Sequence, residues 1–284
     1  MRIVDARSTS VVAAILRASH QVLDQEPKIF DDPLAVGFVD GSSEEEIRRD
    51  RRLLGDPMFR AARCLITYRS RYVEEQLREA VARGVGQYVL VGAGFDTFAY
   101  RQPEWARGLR VIEVDHPDLQ AVKHDLLQRR NIEVPDNVAY CPADLEVDGL
   151  EAGLTAGPFD PRTPAFFSWL GVTVYLRRQA VEATLRYIGT LPSPSGIAFT
   201  FNLPRQSLQG LDRDFHDFGR RVGAQRGEPC ITFHEAAPLR RWLEAQGFSE
   251  VYHLEPEVAD QRYCAGRTDG LRVPRMQQLM VATV

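Results

Sequence analysis

The sequence has neither a long apolar segment nor a closely spaced pair of cysteines. No stretch of its 284 residues approaches the roughly 18 consecutive apolar residues of a membrane-spanning helix. The first ten residues, MRIVDARSTS, lack the apolar core of a signal peptide. Four cysteines occur without a CxxC spacing, which favours reduced structural thiols over a disulfide framework or a zinc site: Cys64, Cys141, Cys230 and Cys264. We therefore expect a soluble, cytoplasmic protein without a membrane partner.

The sequence also lacks an excess of positive charge. Its 35 Lys and Arg residues are outnumbered by 39 Asp and Glu residues, so a net charge of -4 gives no field that would attract nucleic acid. His116 and His124 have no cluster of acids or cysteines beside them that would complete a metal site. We predict no nucleic-acid partner and no metal, and the sequence predicts no particular oligomeric state.

Helical patterns dominate residues 1–84. Residues 11–23 form an apolar helical stretch whose N-cap is expected among residues 8–10. A break at residues 31–33 separates this stretch from a second predicted helix, from about Pro57 to Ala80. We interpret residues 1–84 as an N-terminal helical cap.

From residue 85 the pattern changes to short apolar runs that alternate with helical ones, which is typical of an α/β fold with a mainly parallel sheet. The predicted strands are Gln87–Val91, Arg110–Val114, Val138–Cys141, Ala165–Leu170, Gly196–Phe201, Glu250–Leu254 and Leu279–Thr283. The predicted helices include Pro117–Arg130, Arg178–Gly189 and His234–Gln246. No amphipathic helix is evident between the last two strands, so we expect an antiparallel edge to close the sheet. Residues 85–284 form the predicted core domain.

Residues 203–231 do not fit this alternation. This polar and aromatic segment lies between a predicted strand and the next helix, and it contains Phe215, His216 and Phe218. Insertions of this length often form a lid or a wall of a substrate site, and a surface excursion that packs only on itself is the alternative. We predict a lid-like insertion and leave its fold open.

The stretch VGAGFDTFAYRQP, residues 91–103, follows the first predicted strand, where a doubly wound sheet contributes to its ligand crevice. Gly92 and Gly94 allow a ligand to approach the backbone, and a helix expected after them would offer free N–H groups. Asp96 would repel a pyrophosphate, and Thr97 stands where a dinucleotide-binding turn has its third glycine. A ligand with both a carboxylate and positive charge fits better, and S-adenosylmethionine is such a ligand.

Two more acids follow the next two strands. Asp115 lies about 20 residues after Gly94, where an acid can accept hydrogen bonds from both ribose hydroxyls of a nucleotide. Asp144 follows the third strand, where a side-chain acceptor can meet the adenine amino group. NAD would use Asp115 in the same way, so Asp115 alone does not decide between the two cofactors.

Several motifs along the chain are specific in combination. They are GAGFDTFAYR (92–101), EVDHPDLQAVK (113–123), PADL (142–145) and the Gly-Val-x-x-Tyr-Leu piece of WLGVTVYL (169–176). Together they resemble the leucine carboxyl methyltransferase family, and more closely its bacterial branch of S-adenosylmethionine-dependent O-methyltransferases. The resemblance covers nearly the whole chain. It implies a class I methyltransferase (Rossmann-like) fold, with a seven-stranded sheet and a helical cap.

The resemblance also implies roles for residues at matching positions. Arg69, in the motif YRSRY, would hold the methionine carboxylate of S-adenosylmethionine, with Arg71 nearby. The other implied cofactor contacts are the turn Gly92-Ala93-Gly94 with the neighbouring Asp96 at the methionine portion, Asp115 at the ribose, and Asp144 with Leu145 at the adenine. The product of the cofactor would be S-adenosylhomocysteine.

One departure concerns the acceptor. Many relatives have a glutamate where this chain has Leu170, which weighs against close equivalence to enzymes that methylate the C-terminal leucine of a protein. We therefore predict O-methylation of a carboxylate or hydroxyl on a small molecule, a secondary metabolite. The alternatives are a protein C-terminal carboxyl methyltransferase, an NAD-binding oxidoreductase and a catalytically silent cofactor-binding module.

The predicted acceptor pocket contains Trp169, Tyr175, Phe215 and Phe218. A carboxylate acceptor is already ionised at neutral pH and requires no general base, whereas a base would assist a hydroxyl. His216 is the candidate for that base.

Overall fold

Seven strands form one sheet in the computed structural model, which describes residues 8–284. The strands are β1 (Gln87–Val91), β2 (Arg110–Asp115), β3 (Val138–Pro142), β4 (Ala165–Trp169), β5 (Gly196–Asn202), β6 (Glu250–Leu254) and β7 (Gln277–Thr283). Their order across the sheet is β3-β2-β1-β4-β5-β7-β6. The strands from β1 to β5 pair in parallel, whereas β7 is antiparallel to both β5 and β6. The predicted seven-stranded, mainly parallel α/β sheet is confirmed.

The helices divide into a group before the sheet and a group between its strands. The first group is α1 (Thr9–Leu23), α2 (Glu44–Arg49), α3 (Arg51–Leu54) and α4 (Pro57–Ala82). The second group is α5 (Pro117–Arg129), α6 (Gly149–Thr155), α7 (Arg178–Ile188), α8 (Gly210–Gln225), α9 (Ala236–Glu244) and α10 (Pro256–Cys264). No helix within residues 8–284 is long and apolar enough to cross a membrane.

The helix α10 lies between the last two strands, where the sequence shows no amphipathic helix, and the strands themselves form the expected antiparallel edge. Its apolar residues do not form a continuous stripe, and Pro256 at its first turn is the local signal for its start. The same device starts α4, where Pro57 follows Asp56 and the Asp56 side chain accepts a hydrogen bond from the N–H of Met58 at 2.9 Å.

The central strands are buried on both faces, as expected for parallel strands covered by helices. Alternate side chains point into two apolar layers. Tyr88 and Phe166 belong to the layer that includes α4, whereas Val89, Phe167 and Trp169 belong to the opposite layer. This alternation decides which side chains at the end of each strand can reach a ligand.

The N-terminal helices contain buried ionic contacts that hold them together. Asp24, just after α1, lies 2.8 Å from Nη2 of Arg63 on α4, and its other oxygen lies 2.9 Å from Nδ1 of His20. Nε2 of the same histidine accepts a hydrogen bond from the N–H of Ile29 at 3.1 Å, so its Nδ1 carries the proton. The predicted cap begins in residues 1–7, which lie outside the described residues, and its boundary at residue 84 stays a prediction.

The predicted insertion, residues 203–231, is mostly helical. It starts with a three-residue 3₁₀ turn, Arg205–Ser207, and continues with α8. Residues 226–231 then lead back toward the loop after β4, where the N–H of Ile231 donates to the carbonyl of Val174 at 2.8 Å. Leu211, Phe215, Phe218 and Val222 recur at spacings of three and four residues along α8. The insertion is thus an ordered helix, a fold that the sequence left open.

Candidate active site

A cavity of about 460 Å³ lies at the carboxyl ends of the parallel strands. Its walls come from the loops after β1, β2, β3 and β4, from the start of β7, and from α1, α4 and α8. The strand order reverses at β1, and ligands of doubly wound sheets bind at such a point. Most of the predicted site residues meet at this cavity, although they come from distant parts of the chain.

The glycine turn after β1 forms one wall. Gly92 and Gly94 have positive φ, at 65° and 49°, and they line the cavity together with Ala93. A Cβ on Gly92 would lie 2.5 Å from Cγ2 of Val172, so both the backbone conformation and the available space require glycine there. The element after the turn is a three-residue 3₁₀ turn, Phe98–Tyr100, and the expected helix with free N–H groups was wrong.

Asp115 ends β2 beside this turn. Its Oδ2 accepts a hydrogen bond from the N–H of Gly94 at 2.6 Å, and its Oδ1 accepts one from the N–H of His116 at 2.7 Å. Burial raises the pKa of the Asp115 carboxyl, and the two backbone donors oppose this shift. Each carboxylate oxygen has a further lone pair, so Asp115 can also accept hydrogen bonds from a ligand.

Thr97, in the place of a third glycine, connects the turn to the N-terminal helices. Its hydroxyl donates to Oδ2 of Asp32 at 2.7 Å. The same buried carboxylate lies 2.7 Å from Nε of Arg17 and 3.4 Å from Nε of Arg101. Arg17 also donates to the carbonyl of Phe95 at 2.5 Å. This network positions the turn against the N-terminal helices from inside the protein.

The remaining predicted residues after strands β1 and β3 also reach the cavity. Asp96 lines it, and Oδ1 of Asp96 accepts a hydrogen bond from the N–H of Phe98 at 2.7 Å. Asp144 and the buried Leu145 line it after β3, where Oδ1 of Asp144 accepts from the N–H of Glu146 at 2.8 Å. This end of the cavity is therefore rich in carboxylate and backbone acceptors.

Arg69 faces these acids from α4 and is buried. Its Nη1 donates to Oε1 of Gln277 on β7 at 2.6 Å, and Nε2 of Gln277 donates to Oδ1 of Asn202 at 2.8 Å. Within residues 8–284, Arg69 has no acidic partner within salt-bridge distance, and its Nε has no hydrogen-bond acceptor. Burial lowers the pKa of the Arg69 guanidinium to about 10, so it stays charged at neutral pH. This buried cation lines the cavity without a compensating anion among the described side chains.

Two predicted residues lie elsewhere. Arg71 is exposed on α4, where its Nε lies 2.6 Å from Oε1 of Glu75, because residues two apart on a helix face different directions. Trp169 is fully buried in the core layer opposite α4 and does not line the cavity, whereas the preceding Ser168 does, because neighbouring side chains on a strand alternate between faces. The assignment of Arg71 to the cofactor and of Trp169 to the acceptor pocket is therefore corrected.

Apolar side chains line the part of the cavity beneath α8. The predicted residues Phe215 and Phe218 are among them, and the ring of Phe218 packs edge-on against Phe59 of α4 at a centroid distance of 6.0 Å. The predicted Tyr175 also lines the cavity, and burial raises the pKa of its hydroxyl to about 12. Tyr175 is therefore uncharged at neutral pH.

His216 lines the same part of the cavity and is 2% exposed. Its Nδ1 lies 3.4 Å from Oδ1 of Asp217, an oxygen that also accepts a hydrogen bond from Nε of Arg205 at 2.8 Å. Its Nε2 is buried, and no hydrogen-bond partner for it exists in the described part of the chain. Burial lowers the pKa of the imidazole, so His216 is neutral at pH 7.

The insertion contacts the N-terminal helix across the cavity. Oε2 of Glu228, after α8, accepts hydrogen bonds from the hydroxyl of Thr9 and from its N–H, the latter at 3.2 Å. Both residues line the cavity. This contact joins α1 to the insertion over the cavity.

Sequence reasoning missed several residues of this site. They are Thr9, Phe59, Val172, Asn202, Glu228 and Gln277. Gln277 lies 208 residues from Arg69 in the chain, and no local pattern indicates such a contact. For Thr9 the sequence gave a partial signal: it predicted the start of the first helix at residues 8–10, but not that this helix end reaches the cavity.

The cysteines show one contact that their spacing did not indicate. Sγ of Cys64 on α4 lies 3.5 Å from Sγ of Cys264 on α10, and both thiols are free and buried. Cys230 lines the cavity. In the described range, 8–284, no group of three or more His, Cys, Asp or Glu side chains is placed to hold a metal ion.

The strand order, the antiparallel seventh strand and a cavity beside a glycine turn at the strand ends define the class I methyltransferases. The chain belongs to the leucine carboxyl methyltransferase family, whose model matches residues 10–189. The predicted family and cofactor are confirmed: the protein is a methyltransferase that uses S-adenosylmethionine.

Relatives support this assignment over the whole chain. YktD of Bacillus subtilis, which is described as an S-adenosyl-L-methionine-dependent methyltransferase, is 30% identical to this chain, and the match covers 95% of each of the two chains. A Streptomyces coelicolor protein with the same description is 32% identical over 64% of each chain.

Solved structures share the fold. A Thermobifida fusca protein described as a methyltransferase has a TM-score of 0.56 at 15% identity, and the match covers 96% of this chain and 94% of the other. A DUF574-family protein from Streptomyces avermitilis has a TM-score of 0.54 at 16% identity, with coverages of 94% and 96%. At these identities the likeness establishes the fold alone.

Proposed function

We propose that the protein transfers a methyl group to a carboxylate or hydroxyl oxygen of a small molecule of secondary metabolism. One observation carries the proposal: the cavity has a polar part at the strand ends and an apolar part between α4 and α8. The polar part would hold the cofactor and the apolar part the acceptor. Residues 1–84 would act as a cap and residues 203–231 as a lid over the acceptor.

The polar part fits S-adenosylmethionine. Arg69, a buried cation without an acidic partner among the described residues, would hold the carboxylate of the cofactor. The cradle at Gly92, where a Cβ would collide with Val172, allows the close approach that the methionine portion needs. Asp96 would contact the amino group, and the ribose and adenine contacts would come from Asp115 and from Asp144 with Leu145.

The bound cofactor supplies an electrophilic methyl group attached to a positively charged sulfur. The residues of the chain would bind and orient the acceptor oxygen toward that group and exclude water. Phe59, Phe215 and Phe218 provide the dry wall for this purpose. Charge is lost during such a transfer, so an apolar surrounding and correct alignment contribute much of the rate.

The acceptor part favours a small molecule over a protein terminus. Leu170 lines the cavity where many relatives have a glutamate, and the contact between Thr9 and Glu228 bridges the cavity between α1 and the insertion. A flexible protein tail would need an open groove between α1 and the insertion, where this contact lies. The cofactor assignment leaves no support for the NAD-binding oxidoreductase alternative.

The test is a transfer assay with S-adenosylmethionine labelled in its methyl group, against a panel of small carboxylic acids and phenols. We expect label in a small organic product, separated from protein by filtration. Arg69→Met is the negative control, because its affinity for the cofactor should be strongly reduced. Label that stays in the protein fraction would contradict the proposal. Amines and thiols are tested alongside the panel, and transfer to them without transfer to any oxygen acceptor would also contradict it.

A further inference from the structure

The buried imidazole of His216 has a defined hydrogen-bonding direction. The carboxylate of Asp217 accepts from Nδ1, so the proton of the neutral ring lies on Nδ1 and the lone pair lies on Nε2. Arg205 donates from its Nε and Nη2 to Asp217, at 2.8 Å in each case, and keeps this carboxylate ionised. The result is a proton acceptor: the side chain of His216 lines the cavity, and its buried Nε2 has no partner among residues 8–284.

An unpartnered acceptor in an apolar site calls for a ligand that donates a hydrogen bond. Leaving such a group buried and unpaired is unfavourable, because it has lost its hydrogen bond to water without replacement. A carboxylate acceptor cannot satisfy it, because an ionised carboxylate has no proton to donate. A hydroxyl can donate, and its oxygen would then lie beside Nε2.

The cations near the cavity also argue against a carboxylate. Arg69 is assigned to the cofactor, and Arg205 is occupied by Asp217. Arg17 is bound to Asp32. Among residues 8–284, the remaining Lys or Arg that lines the cavity is the exposed Arg220, which lies outside the buried apolar part. A carboxylate placed among the buried phenylalanines would therefore have no side-chain counter-charge among residues 8–284.

Two features indicate which kind of hydroxyl compound fits: the aromatic side chains that line the cavity and the weak basicity of the His216 imidazole. Phe59, Phe215 and Phe218 surround the site, and the ring of Phe233 lies 5.3 Å from that of His216. Aromatic side chains favour an aromatic ligand through stacked and edge contacts. A weakly basic imidazole is also better matched to a phenol, with a pKa of about 10, than to a far less acidic aliphatic alcohol.

We propose that the acceptor is a phenol and that Nε2 of His216 is the general base for its hydroxyl; this inference rests on the proposed O-methyltransferase function. The phenolic oxygen forms its new bond to the transferred methyl carbon as the carbon–sulfur bond breaks, and the electron pair of that bond stays on sulfur. The phenolic proton passes to Nε2 of His216 and then to solvent. Asp217, with Arg205 behind it, is a positioning residue that holds the imidazole in the required tautomer.

The kinetic test compares His216→Asn with the parent protein on phenols of graded acidity. We expect a loss of about 10²- to 10⁴-fold in kcat on weakly acidic phenols, the range of general base catalysis. The loss should shrink on strongly acidic phenols, which are already ionised. His234→Asn is the matched control: His234 is also buried, and its Nε2 also has no partner among residues 8–284, but it does not line the cavity.

The pH profile is a second readout. For the parent protein, kcat should fall as pH drops through the lowered pKa of His216, whereas His216→Asn should instead gain activity toward the pKa of the phenol. The charged groups around the ring are Asp217, Arg205 and Arg220. The other titratable side chains lining this side of the cavity are Tyr175, Glu228 and Cys230, and none should produce the same dependence on acceptor acidity.

A binding measurement needs no turnover. With S-adenosylhomocysteine present, calorimetry on the full chain would compare a phenol with its methyl ether, which lacks the donor. We expect the parent protein to bind the phenol about 3- to 10-fold more tightly, the value of one hydrogen bond, and His216→Asn to lose this preference.

The outcomes separate this inference from the proposed function. Transfer to carboxylic acids but not phenols, or loss of transfer in Arg220→Gln without loss in His216→Asn, overturns the phenol assignment and leaves O-methylation standing. Equal rates for the parent and His216→Asn across the phenol series also overturn the role of His216. Failure to methylate any oxygen acceptor overturns the proposed function itself.

Discussion

The two parts of the cavity are built in different ways. At the strand ends, Gly94 and Asp115 are joined by a hydrogen bond of 2.6 Å, and Thr97 is anchored to the fully buried Asp32. Beneath α8, apolar side chains surround the buried imidazole of His216, and a polar contact between Thr9 and Glu228 joins the insertion to α1. The first part is held by hydrogen bonds to a rigid sheet and the second by the packing of helices.

This difference explains how one fold can keep a cofactor and change its acceptor. Backbone positions at strand ends are fixed by the register of the sheet. A shift of the register by one residue would move every side chain of a strand to the opposite face. Apolar walls on helices accept substitutions of similar volume at small cost to stability. The predictions below test whether the two parts are as separate as their construction indicates.

The largest effect is expected for Arg69→Met. This change removes the buried cation while keeping the apolar stem, so affinity for S-adenosylmethionine should fall by about 30- to 1000-fold, or about 2–4 kcal/mol, the range for breaking a buried charge pair. The ligand-free protein should change little in stability, because removal of a buried charge without an acidic partner among the described residues offsets the lost hydrogen bond to Gln277. Calorimetric titration and thermal unfolding measure the two quantities.

Arg71→Gln is the matched control, because Arg71 lies on the same helix but is exposed and pairs with Glu75. Its cofactor affinity should equal that of the parent protein. A large drop in ligand-free stability in Arg69→Met would show that Arg69 serves the fold, and an unchanged affinity would remove it from the cofactor site.

The next effect is expected for Asp115→Ala. Loss of its hydrogen bonds to the ribose should weaken S-adenosylmethionine binding by about 1–3 kcal/mol, or about 5- to 150-fold. The change also removes the acceptor of the Gly94 N–H, so Asp115→Asn is the control that keeps one acceptor oxygen. Calorimetry with S-adenosylmethionine gives the affinities, and unchanged affinity in both variants would exclude Asp115 from the site.

The sheet and the strand-end residues were predictable because their signals are local. A buried strand is a short apolar run, and each of the seven predicted runs forms a strand whose ends differ from the prediction by at most two residues. Gly92, Asp115 and Asp144 follow these runs directly, so parallel pairing brings them to one edge of the sheet without further information.

Arg71 and Trp169 were misplaced although the sequence held the corrective signal. Two residues apart on a helix, Arg69 and Arg71 differ by about 200° in direction, so they could not face one ligand. On a strand the period is two, and the choice of Ser168 or Trp169 for the cavity follows from which face of β4 is covered by α4.

The acceptor part was less predictable for a physical reason. The apolar spacing of α8 was present, but glycines at positions 210, 219 and 223 and a high density of charge weakened the helical pattern. Contacts such as Arg69 with Gln277, or Thr9 with Glu228, join residues more than 200 positions apart. These contacts follow from the packed fold, and no local pattern encodes them.

The smallest effect is expected for Thr9→Val, which separates the two parts directly. This change removes the hydroxyl that donates a hydrogen bond to Glu228. The hydrogen bond from the backbone N–H of residue 9 to Glu228, at 3.2 Å, remains, so the contact between α1 and the insertion is weakened rather than lost. One hydrogen bond is worth about 1 kcal/mol, which predicts a rise of about fivefold in the KM for the acceptor. Cofactor affinity should stay unchanged, because the strand-end residues are held by other bonds. Thr9→Ser keeps the hydroxyl and should restore the parent KM, whereas an equal loss of cofactor affinity in Thr9→Val would show that α1 closes both parts of the cavity together.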